Sequence, residues 1–332
     1  MILYDFNLSF KFSDFGIKIS IMEDKLYKTI EYLKELPDFE RNSINKVEPQ
    51  LTKEDLLRVH SKGYVDKLFS QEVEKEIISV YELVDDKGNY HRYNPSEAKF
   101  PLKTIFQYEL KKAAGSFQCT KITLEKGFCF YFGGGSHHAK EDYGEGFCIL
   151  NDIVIAIRKL QWESMIEDAW VIDVDAHKGD GTASLTINDN SIKTLSIHMA
   201  KGWPLDGEEY INEKVNPSFL PSDIDIPINE NEGYSYLVKL EEGLKKLEEL
   251  SKPQLAIIVL GADPYENDGL LSTEKLKLTL KQMKERDVLI YTFLKEKNIP
   301  QAYFMAGRLW WRLLEGLCTV FGACIASKLK IM

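Results

Sequence analysis

The amino-acid sequence predicts an α/β fold of three layers, in which helices cover both faces of a central, mainly parallel β-sheet. Two observations lead to this prediction. Short apolar runs alternate along the chain with segments of helical periodicity, which is the pattern of layered α/β proteins. The runs are apolar on both faces rather than on one, as expected of strands that are buried on both sides.

The individual helices and strands follow from local patterns. Residues 25–36 carry apolar side chains at helical intervals, and a helix behind Thr52 begins with a capping side chain and acidic residues. Further helical patterns cover residues 104–118, 151–161, 232–250 and 273–297. The predicted strands are residues 127–132, 169–174, 194–198, 255–261 and 301–307. Because no linker-like stretch divides them, we expect residues 1–332 to form a single domain with a polar insertion at 71–100.

Composition narrows the range of functions. Of the 332 residues, 44% are hydrophobic and 28% are charged, so the chain has enough apolar side chains for a large folded core. Its formal net charge of −10 argues against a nucleic-acid-binding surface, so we expect no nucleic-acid partner. Nothing in the composition indicates an oligomeric state.

The cysteines and the apolar segments indicate the cellular compartment in which we expect the protein. Five cysteines form no CxxC pair and lie mostly within apolar runs: Cys119, Cys129, Cys148, Cys318 and Cys324. They are interpreted as buried thiols in a reducing compartment. The start MILYDFNLSFKF has no basic region followed by an apolar stretch, as a signal peptide would. The apolar run LCTVFGACIAS is shorter than the roughly 18 residues of a membrane helix. We therefore expect a cytoplasmic protein without a membrane partner.

Two adjacent histidines follow three glycines in the segment FYFGGGSHHA, residues 130–139. Neighbouring side chains of a regular strand point to opposite faces, so His137 and His138 share one site only where the backbone leaves strand geometry. The glycines permit that departure because they adopt positive φ angles. The alternative interpretation is a flexible surface linker with two solvated histidines.

Acidic residues and a histidine alternate in the segment VIDVDAHKGDG. Asp173, Asp175 and His177 are spaced by two, so they face the same way if the strand continues through them. Acids on a buried strand are costly unless they are paired or bind a cation, so a metal site competes here with a salt-bridged or capping role. A catalytic zinc site needs a third protein ligand. Asp268 follows the strand 255–261 and is our candidate, although aspartate in such a loop is also a common turn former.

Taken in order, the motifs GGGSHHA, GEGFCILND, DVDAHKGDGT, LSIH and LGADPYENDGLL resemble the histone deacetylase family. This family includes bacterial deacetylase-like proteins, acetylpolyamine amidohydrolases and acetoin-utilisation proteins. FSDFGIKIS and DLLRVHSKGYVDKL resemble its N-terminal signatures, so the resemblance covers most of the chain. It implies an arginase/deacetylase-like fold and a zinc-dependent hydrolase that removes an acyl group from an acyl-lysine peptide or an acylated small amine such as a polyamine.

The resemblance also implies roles for individual residues. It assigns one zinc ion to three ligands: Asp175, His177 and Asp268. Of the tandem histidines, His138 resembles the general base that takes a proton from water, with His137 beside it. Asp173 and Asp180 match the carboxylates behind His137 and His138, respectively.

A second ion and a substrate channel follow from the same resemblance. A structural monovalent cation, K⁺ or Na⁺, is expected at Asp173, Ser196 and Ile197, with main-chain atoms of Asp175 and His177. The channel for the acyl-lysine side chain is expected to be lined by Gly146, Phe147, Trp203 and Leu309. The related two-manganese chemistry of arginases uses a DAHxD motif, and Gly179 replaces its second acid here, which disfavours a binuclear site.

The chain departs from the family pattern after its last predicted strand. Family members carry GGY there, with a tyrosine that donates a hydrogen bond to the oxyanion, whereas this chain reads MAGRLWW and has Arg308 and Leu309 after Gly307. Loss of one oxyanion donor typically costs about 10²- to 10³-fold in rate, so we expect weak acetyl hydrolysis.

Three interpretations of this departure remain open. Arg308 or Tyr265 supplies the missing hydrogen bond, which gives a working deacylase of altered geometry. Alternatively, the space beside Leu309 suits a bulkier or more activated acyl group. In the third interpretation the protein is a catalytically impaired, zinc-containing binding module for acylated lysine or amine ligands.

Overall fold

The computed structural model of the protein describes residues 1–19, 25–35 and 38–306. The strands within these residues are β1 (Ile2–Leu3), β2 (Ser43–Ile44), β3 (Phe128–Tyr131), β4 (Ala169–Asp173), β5 (Ile192–Met199), β6 (Tyr210–Ile211), β7 (Lys214–Val215), β8 (Ile224–Ile228), β9 (Leu255–Gly261) and β10 (Gln301–Ala306). Strands β6 and β7 form a small antiparallel pair, and the other eight form one sheet in the order β2-β1-β3-β10-β9-β4-β5-β8. All the pairings in this sheet are parallel, as the sequence predicts.

Helices cover the sheet on both faces. They are α1 (Lys25–Leu33), α2 (Lys53–Leu57), α3 (Lys62–Leu68), α4 (Val73–Val80), α5 (Thr104–Lys126), α6 (Asp152–Trp162), α7 (Asp180–Thr186), α8 (Tyr236–Leu250) and α9 (Leu280–Glu296). One apolar core lies between the sheet and α5 and α6, and the other lies between the sheet and α1, α8 and α9. The predicted three-layer α/β fold is therefore confirmed.

Strand β9 shows why the central strands are apolar on both faces. Ile257 and Val259 belong to the core under α5 and α6, whereas Ile258 and Leu260 belong to the core under α8 and α9. Each of these side chains is at most 6% exposed. A strand with both faces covered has no position at which water favours a polar residue.

Several parts of the secondary structure differ from the sequence prediction, which has no counterpart of α7 and begins α9 at residue 273 instead of Leu280. The helix predicted behind Thr52 is divided into α2 and α3, because Ser61 caps the second helix by accepting a hydrogen bond from the Tyr64 amide at 3.3 Å. Strand β8 has no predicted counterpart. It lies at the edge of the sheet, where Asp225 and Pro227 are tolerated because only one side of the strand is paired.

The predicted polar insertion at 71–100 contributes to the core as well as to the surface. It contains α4, whose Val73, Ile77 and Val80 are buried against the core under α5 and α6. The polar loop that follows is largely exposed. The segment is therefore anchored to the rest of the molecule by an apolar helix face.

Two further expectations from the sequence concern the cysteines and membrane-spanning helices. Within the described residues, Cys119, Cys129 and Cys148 are buried and form no disulfide, whereas Cys318 and Cys324 lie outside the described residues. None of the helices in residues 1–19, 25–35 and 38–306 combines the length and hydropathy that crossing a bilayer requires.

Candidate active site

A group of three buried side chains lies where β4 and β9 end. Ligand atoms of Asp175, His177 and Asp263 all lie within 4.8 Å of one another. His177 Nδ1 is 3.1 Å from Asp175 Oδ1 and 3.1 Å from Asp263 Oδ2. Two carboxylates buried this close together need a positive charge between them. One imidazole nitrogen and two carboxylates form a donor set that suits zinc.

The structure corrects the predicted third ligand, because the group contains Asp263 and not Asp268. Asp263 follows the last residue of β9 by two positions, and its Oδ1 also accepts a hydrogen bond from the Ala176 amide at 3.1 Å. Asp268 lies further along the loop, where its Oδ1 accepts a hydrogen bond from the Leu270 amide at 2.8 Å. The signal that favours Asp263 is its position directly behind the strand, where parallel strands bring side chains together.

Electrostatics of the group favour a positive charge. Burial alone would lower the pKa of His177, but hydrogen bonds and charges of Asp175 and Asp263 outweigh it and raise the pKa to about 10. A proton therefore binds tightly between the two carboxylates, at the place where a metal ion would supply the same positive charge. The donor set and the electrostatics both fit a divalent metal.

Two neighbours that the sequence analysis did not identify shape this group. Ser272 Oγ lies 3.0 Å from His177 Nε2, so it orients the ring through the nitrogen opposite Nδ1. Gly261 lets the chain pass close to the carboxylates. A Cβ atom at Gly261 would lie 2.5 Å from Asp175 Oδ2 and 2.7 Å from Asp263 Oδ1.

The tandem histidines lie beside the group, each with one carboxylate. His137 Nδ1 is 2.6 Å from Asp173 Oδ2, and His138 Nδ1 is 2.7 Å from Asp180 Oδ1. The two imidazole rings are 4.0 Å apart, and the four side chains are buried. The structure thus brings together both of the histidine–carboxylate pairs that the sequence analysis expects.

Glycines make this arrangement of the histidines possible. Gly134 and Gly135 have φ angles of 75° and 79°, in the left-handed region that favours glycine. The turn they form is held by Asp152, which accepts hydrogen bonds from the Gly135 and Ser136 amides at 3.0 and 2.7 Å. The chain leaves strand geometry here, and both imidazoles line the same cavity.

The two histidines have opposite protonation preferences. Burial alone would lower the pKa of His137, but the charges of Asp173 and Asp175 outweigh it and raise the pKa to about 9. Burial, followed by the charge of His137, lowers the pKa of His138 to about 3. In the metal-free protein near neutral pH, His137 is therefore charged and His138 is neutral.

Asp180 is the centre of a buried polar network. Its Oδ2 accepts hydrogen bonds from Lys140 Nζ at 2.6 Å and from Ser218 Oγ at 2.8 Å. Lys140 also pairs with Glu145, which precedes the predicted channel residues. Burial would raise the pKa of Asp180, but its bonds to His138 and Lys140 hold that pKa well below its usual range. Lys140 and Ser218 are further residues that the sequence analysis did not identify.

The metal group and the tandem histidines open into one cavity of about 940 Å³. Gly146, Phe147 and Trp203 lie on its wall. The Trp203 ring is 4.4 Å from the His138 ring and 5.6 Å from the His177 ring. A side chain on Gly146 would overlap Trp203. These three residues thus occupy positions that fit the expected channel.

The segment 71–100 also contributes to this wall. Tyr81, Glu82 and Arg92 line the cavity, and Glu82 pairs with Arg92 at 2.7 Å. The Tyr81 ring is 5.7 Å from the Phe147 ring, and the Phe147 amide donates a hydrogen bond to the Val80 carbonyl at 3.2 Å. The position of Phe147 therefore depends on α4 and the residues that follow it.

The structure places Tyr265, one of the two candidate oxyanion donors, in the core. Tyr265 is buried in the core under α8 and α9 and is not among the described residues that line the cavity. Its hydroxyl accepts a hydrogen bond from Asn267 Nδ2 at 3.0 Å. This placement does not support Tyr265 as the oxyanion donor, and the role of Tyr265 stays a prediction. Gly307, Arg308 and Leu309 lie outside the described residues.

The predicted monovalent-cation site lies next to the metal group. Asp173 on β4 and Ser196 on β5 are register partners, and Ile197 follows Ser196 on the same strand. Ser196 Oγ accepts a hydrogen bond from the Gly179 amide at 3.4 Å. Cation binding at these residues stays a prediction.

Comparisons with known proteins agree with the motifs and the fold. The profile of the histone deacetylase domain family matches residues 21–307. Histone deacetylase 2 of Arabidopsis thaliana is 29% identical over 269 residues, which are 79% of this chain and 62% of that protein. A probable deacetylase of Archaeoglobus fulgidus is 28% identical over 93% of this chain and 79% of its own length. The acetoin utilization protein AcuC of Staphylococcus aureus is 26% identical over 68% of this chain and 56% of its own length. The match thus spans less than two thirds of the Arabidopsis and Staphylococcus proteins.

Proposed function

Because the chain belongs to the histone deacetylase family, we propose that it is a zinc-dependent hydrolase that releases an acyl group from an N-acyl amine. One observation supports this proposal most strongly. The group of Asp175, His177 and Asp263 and the pair of His138 and Asp180 line or adjoin a single cavity. A metal-activated hydrolysis needs these two components side by side.

The metal would be held by Asp175, by Nδ1 of His177 and by Asp263. When bound, zinc supplies Lewis-acid chemistry, because it lowers the pKa of water and polarises an amide carbonyl. The two carboxylates and the imidazole set its position. Ser272 holds the His177 ring in the orientation in which Nδ1 faces Asp175 and Asp263, where it would be available to the metal.

His138 is our candidate for the general base. Its Nδ1 is bonded to Asp180, so the ring presents Nε2 on its opposite side, where it can take a proton from water and return it to the leaving amine. His137 is held through Nδ1 by Asp173, and its Nε2 lies 3.9 Å from Asp175 Oδ1. From there His137 can orient the attacking water.

The wall of the cavity suits a slender, partly apolar substrate. The aromatic faces of Phe147 and Trp203 can pack against the methylene stem of an acyl-lysine or an acylated polyamine. The acyl group would then lie beside the candidate metal group and His138. Leu309 in place of the family's tyrosine leads us to expect slow acetyl hydrolysis, with a more activated or bulkier acyl group preferred.

The test combines zinc binding with turnover. Wild-type protein is loaded with zinc and assayed on acyl-lysine peptides from acetyl through trifluoroacetyl to long-chain acyl, and on acetylpolyamines. We expect one zinc per chain and cleavage of at least one substrate. Asp263→Asn should lose both properties, whereas the matched variant Asp268→Asn should keep both.

Each outcome has a defined meaning. Failure of the wild type to bind zinc overturns the proposal. Stoichiometric zinc without cleavage of any substrate favours the alternative, a binding module for acylated lysines or amines, which the absence of the family's tyrosine also suggests. Loss of zinc in Asp268→Asn but not in Asp263→Asn would show that our ligand assignment is wrong.

A further inference from the structure

A buried guanidinium lies behind the candidate metal group. Arg286 on α9 is 1% exposed, and its Nε donates a hydrogen bond to Asp287 Oδ1 at 2.8 Å. Apolar residues of similar volume often replace a buried ion pair without loss of stability. Stability alone therefore does not explain why this pair lies in an apolar core.

The guanidinium contacts both strands that lead to the metal group. Its Nη1 donates hydrogen bonds to the Val174 carbonyl at 3.1 Å and to the Gly261 carbonyl at 2.9 Å. Val174 immediately precedes Asp175, and Gly261 lies two positions before Asp263. A single nitrogen thus connects the two chain segments that carry the carboxylate ligands.

These contacts lie where the sheet itself no longer holds the strands together. The register between β4 and β9 ends with Asp173 opposite Val259, and the Val174 amide still donates to the Val259 carbonyl at 3.1 Å. Strand β9 continues to Gly261, which is paired with Ala306 of β10, and Asp263 follows two positions later. The separation of the two strand ends sets the distance between the two carboxylates, and Arg286 is bonded to both ends.

We propose that Arg286 is a positioning residue that preorganises the carboxylates of Asp175 and Asp263 for a divalent metal. This role rests on the proposed function, since it assumes that the group binds a metal. Arginine suits the task because its planar guanidinium is rigid and can bond to Asp287 and both carbonyls at once. Lysine is a point charge on a flexible stem and holds the two carbonyls less well.

The test measures metal affinity separately from stability. Co²⁺ binding is followed by chelator competition and by the visible spectrum of the bound ion, for the wild type, Arg286→Lys and the double variant Arg286→Met with Asp287→Leu. The double variant removes both charges, so no unpaired ion is left in the core. We expect the Kd for Co²⁺ to rise roughly tenfold or more in the double variant, and by less in Arg286→Lys.

Ile290→Ala is the matched control. Ile290 lies one turn further along α9 and is fully buried in the same core. Its truncation should lower the melting temperature, measured without metal, but leave the Kd for Co²⁺ and the visible spectrum unchanged. Arg286 variants should change both of the metal readouts, which a purely structural role would not.

The outcomes separate this inference from the proposed function. A wild-type protein that does not bind Co²⁺ overturns the proposed function and, with it, the role of Arg286. If the wild type binds Co²⁺ and both Arg286 variants bind it equally well with the same spectrum, only the positioning role is overturned. Should the double variant not fold, Arg286→Lys alone decides between these results.

Discussion

At the scale of single residues, His60 shows how a buried histidine can be structural. Its Nδ1 lies 2.7 Å from the Lys140 carbonyl, and its Nε2 accepts a hydrogen bond from the Asn151 amide at 3.1 Å. The ring is therefore neutral, with the proton on Nδ1. It connects the turn between α2 and α3 to the segment that follows the tandem histidines and to Asn151, the N-cap of α6. Burial lowers the pKa of His60 to about 4.

The pKa of His60 predicts how stability depends on pH. Its value in the folded protein, about 4, lies below the ordinary 6.5, so the unfolded chain binds more protons between these values. The contribution of His60 is complete above pH 6.5, and roughly 3 kcal/mol of unfolding free energy is lost as pH falls to about 4. Urea unfolding of the wild type and His60→Gln from pH 7.5 to 4 measures this loss. Parallel profiles would contradict the neutral assignment, and the exposed His91→Gln is the control.

The close packing around Gly261 leads to a testable prediction. Its Cβ in Gly261→Ala would lie 2.6 Å from the Asp175 Cα atom, which is backbone and cannot move aside easily. We expect a loss of about 1–3 kcal/mol in unfolding free energy and at least roughly tenfold weaker zinc binding. Gly269→Ala is the matched control, because a Cβ there meets no atom within 4 Å. Equal zinc affinity in both variants would show that the close approach is unimportant.

Sequence patterns reveal some residues of the site and miss others for a physical reason. Asp173, Asp175 and His177 were recognisable because their spacing of two along one strand is a local pattern. Ser272 contacts His177 across 95 positions of sequence, and Arg286 contacts Val174 across 112. Such contacts exist only after the chain has folded, so no local pattern indicates them.

At the scale of secondary structure, α2 begins as its sequence predicts. Thr52 Oγ1 accepts a hydrogen bond from the Asp55 amide at 3.3 Å, and Asp55 Oδ2 accepts one from the Thr52 amide at 2.8 Å. This reciprocal capping box satisfies two amides that the helix leaves unpaired. Asp55 is also bonded to Lys159 of α6 at 2.9 Å, so the cap connects two helices.

The cap of α2 therefore makes a measurable contribution. Thr52→Ala removes the acceptor for the Asp55 amide and should lower the unfolding free energy by about 1 kcal/mol. Thr52→Ser keeps the hydroxyl and should stay within a few tenths of the wild type. Urea unfolding at pH 7.5 measures both values. A loss of equal size in the two variants would assign the effect to the threonine methyl group instead of the cap.

The strands that are buried on both faces were the ones that could be predicted from the sequence. Strands β4, β9 and β10 are buried on both faces, so their sequences are largely apolar and can be recognised as strands. Strand β8 is only partly buried at the sheet edge and is interrupted by Asp225 and Pro227, so it lacks that run. The same reasoning explains the two-residue strands β1 and β2, which are too short to show any period.

At the scale of the whole molecule, the parallel sheet brings distant parts of the sequence together. Strands β4 and β9 are neighbours in the sheet, so Asp175 and Asp263 meet at one edge although they lie far apart in the chain. Strand ends of β3 and β10 reach the same edge and contribute the glycine turn and Ala306 to the cavity. The fold predicted that one site would form at this edge, and the position of Asp263 directly behind β9 favours it over Asp268.

Metal binding should therefore stabilise the whole fold, because it joins loops from two strands and offsets the repulsion between two buried carboxylates. At a free zinc concentration of 100 times Kd, the expected gain in unfolding free energy is about 2.7 kcal/mol. Differential scanning calorimetry should show a higher melting temperature with zinc and its reversal by a chelator. Asp175→Asn should abolish the increase, and Asp268→Asn should keep it. An equal increase in Asp175→Asn would show that zinc stabilises the protein from a different site.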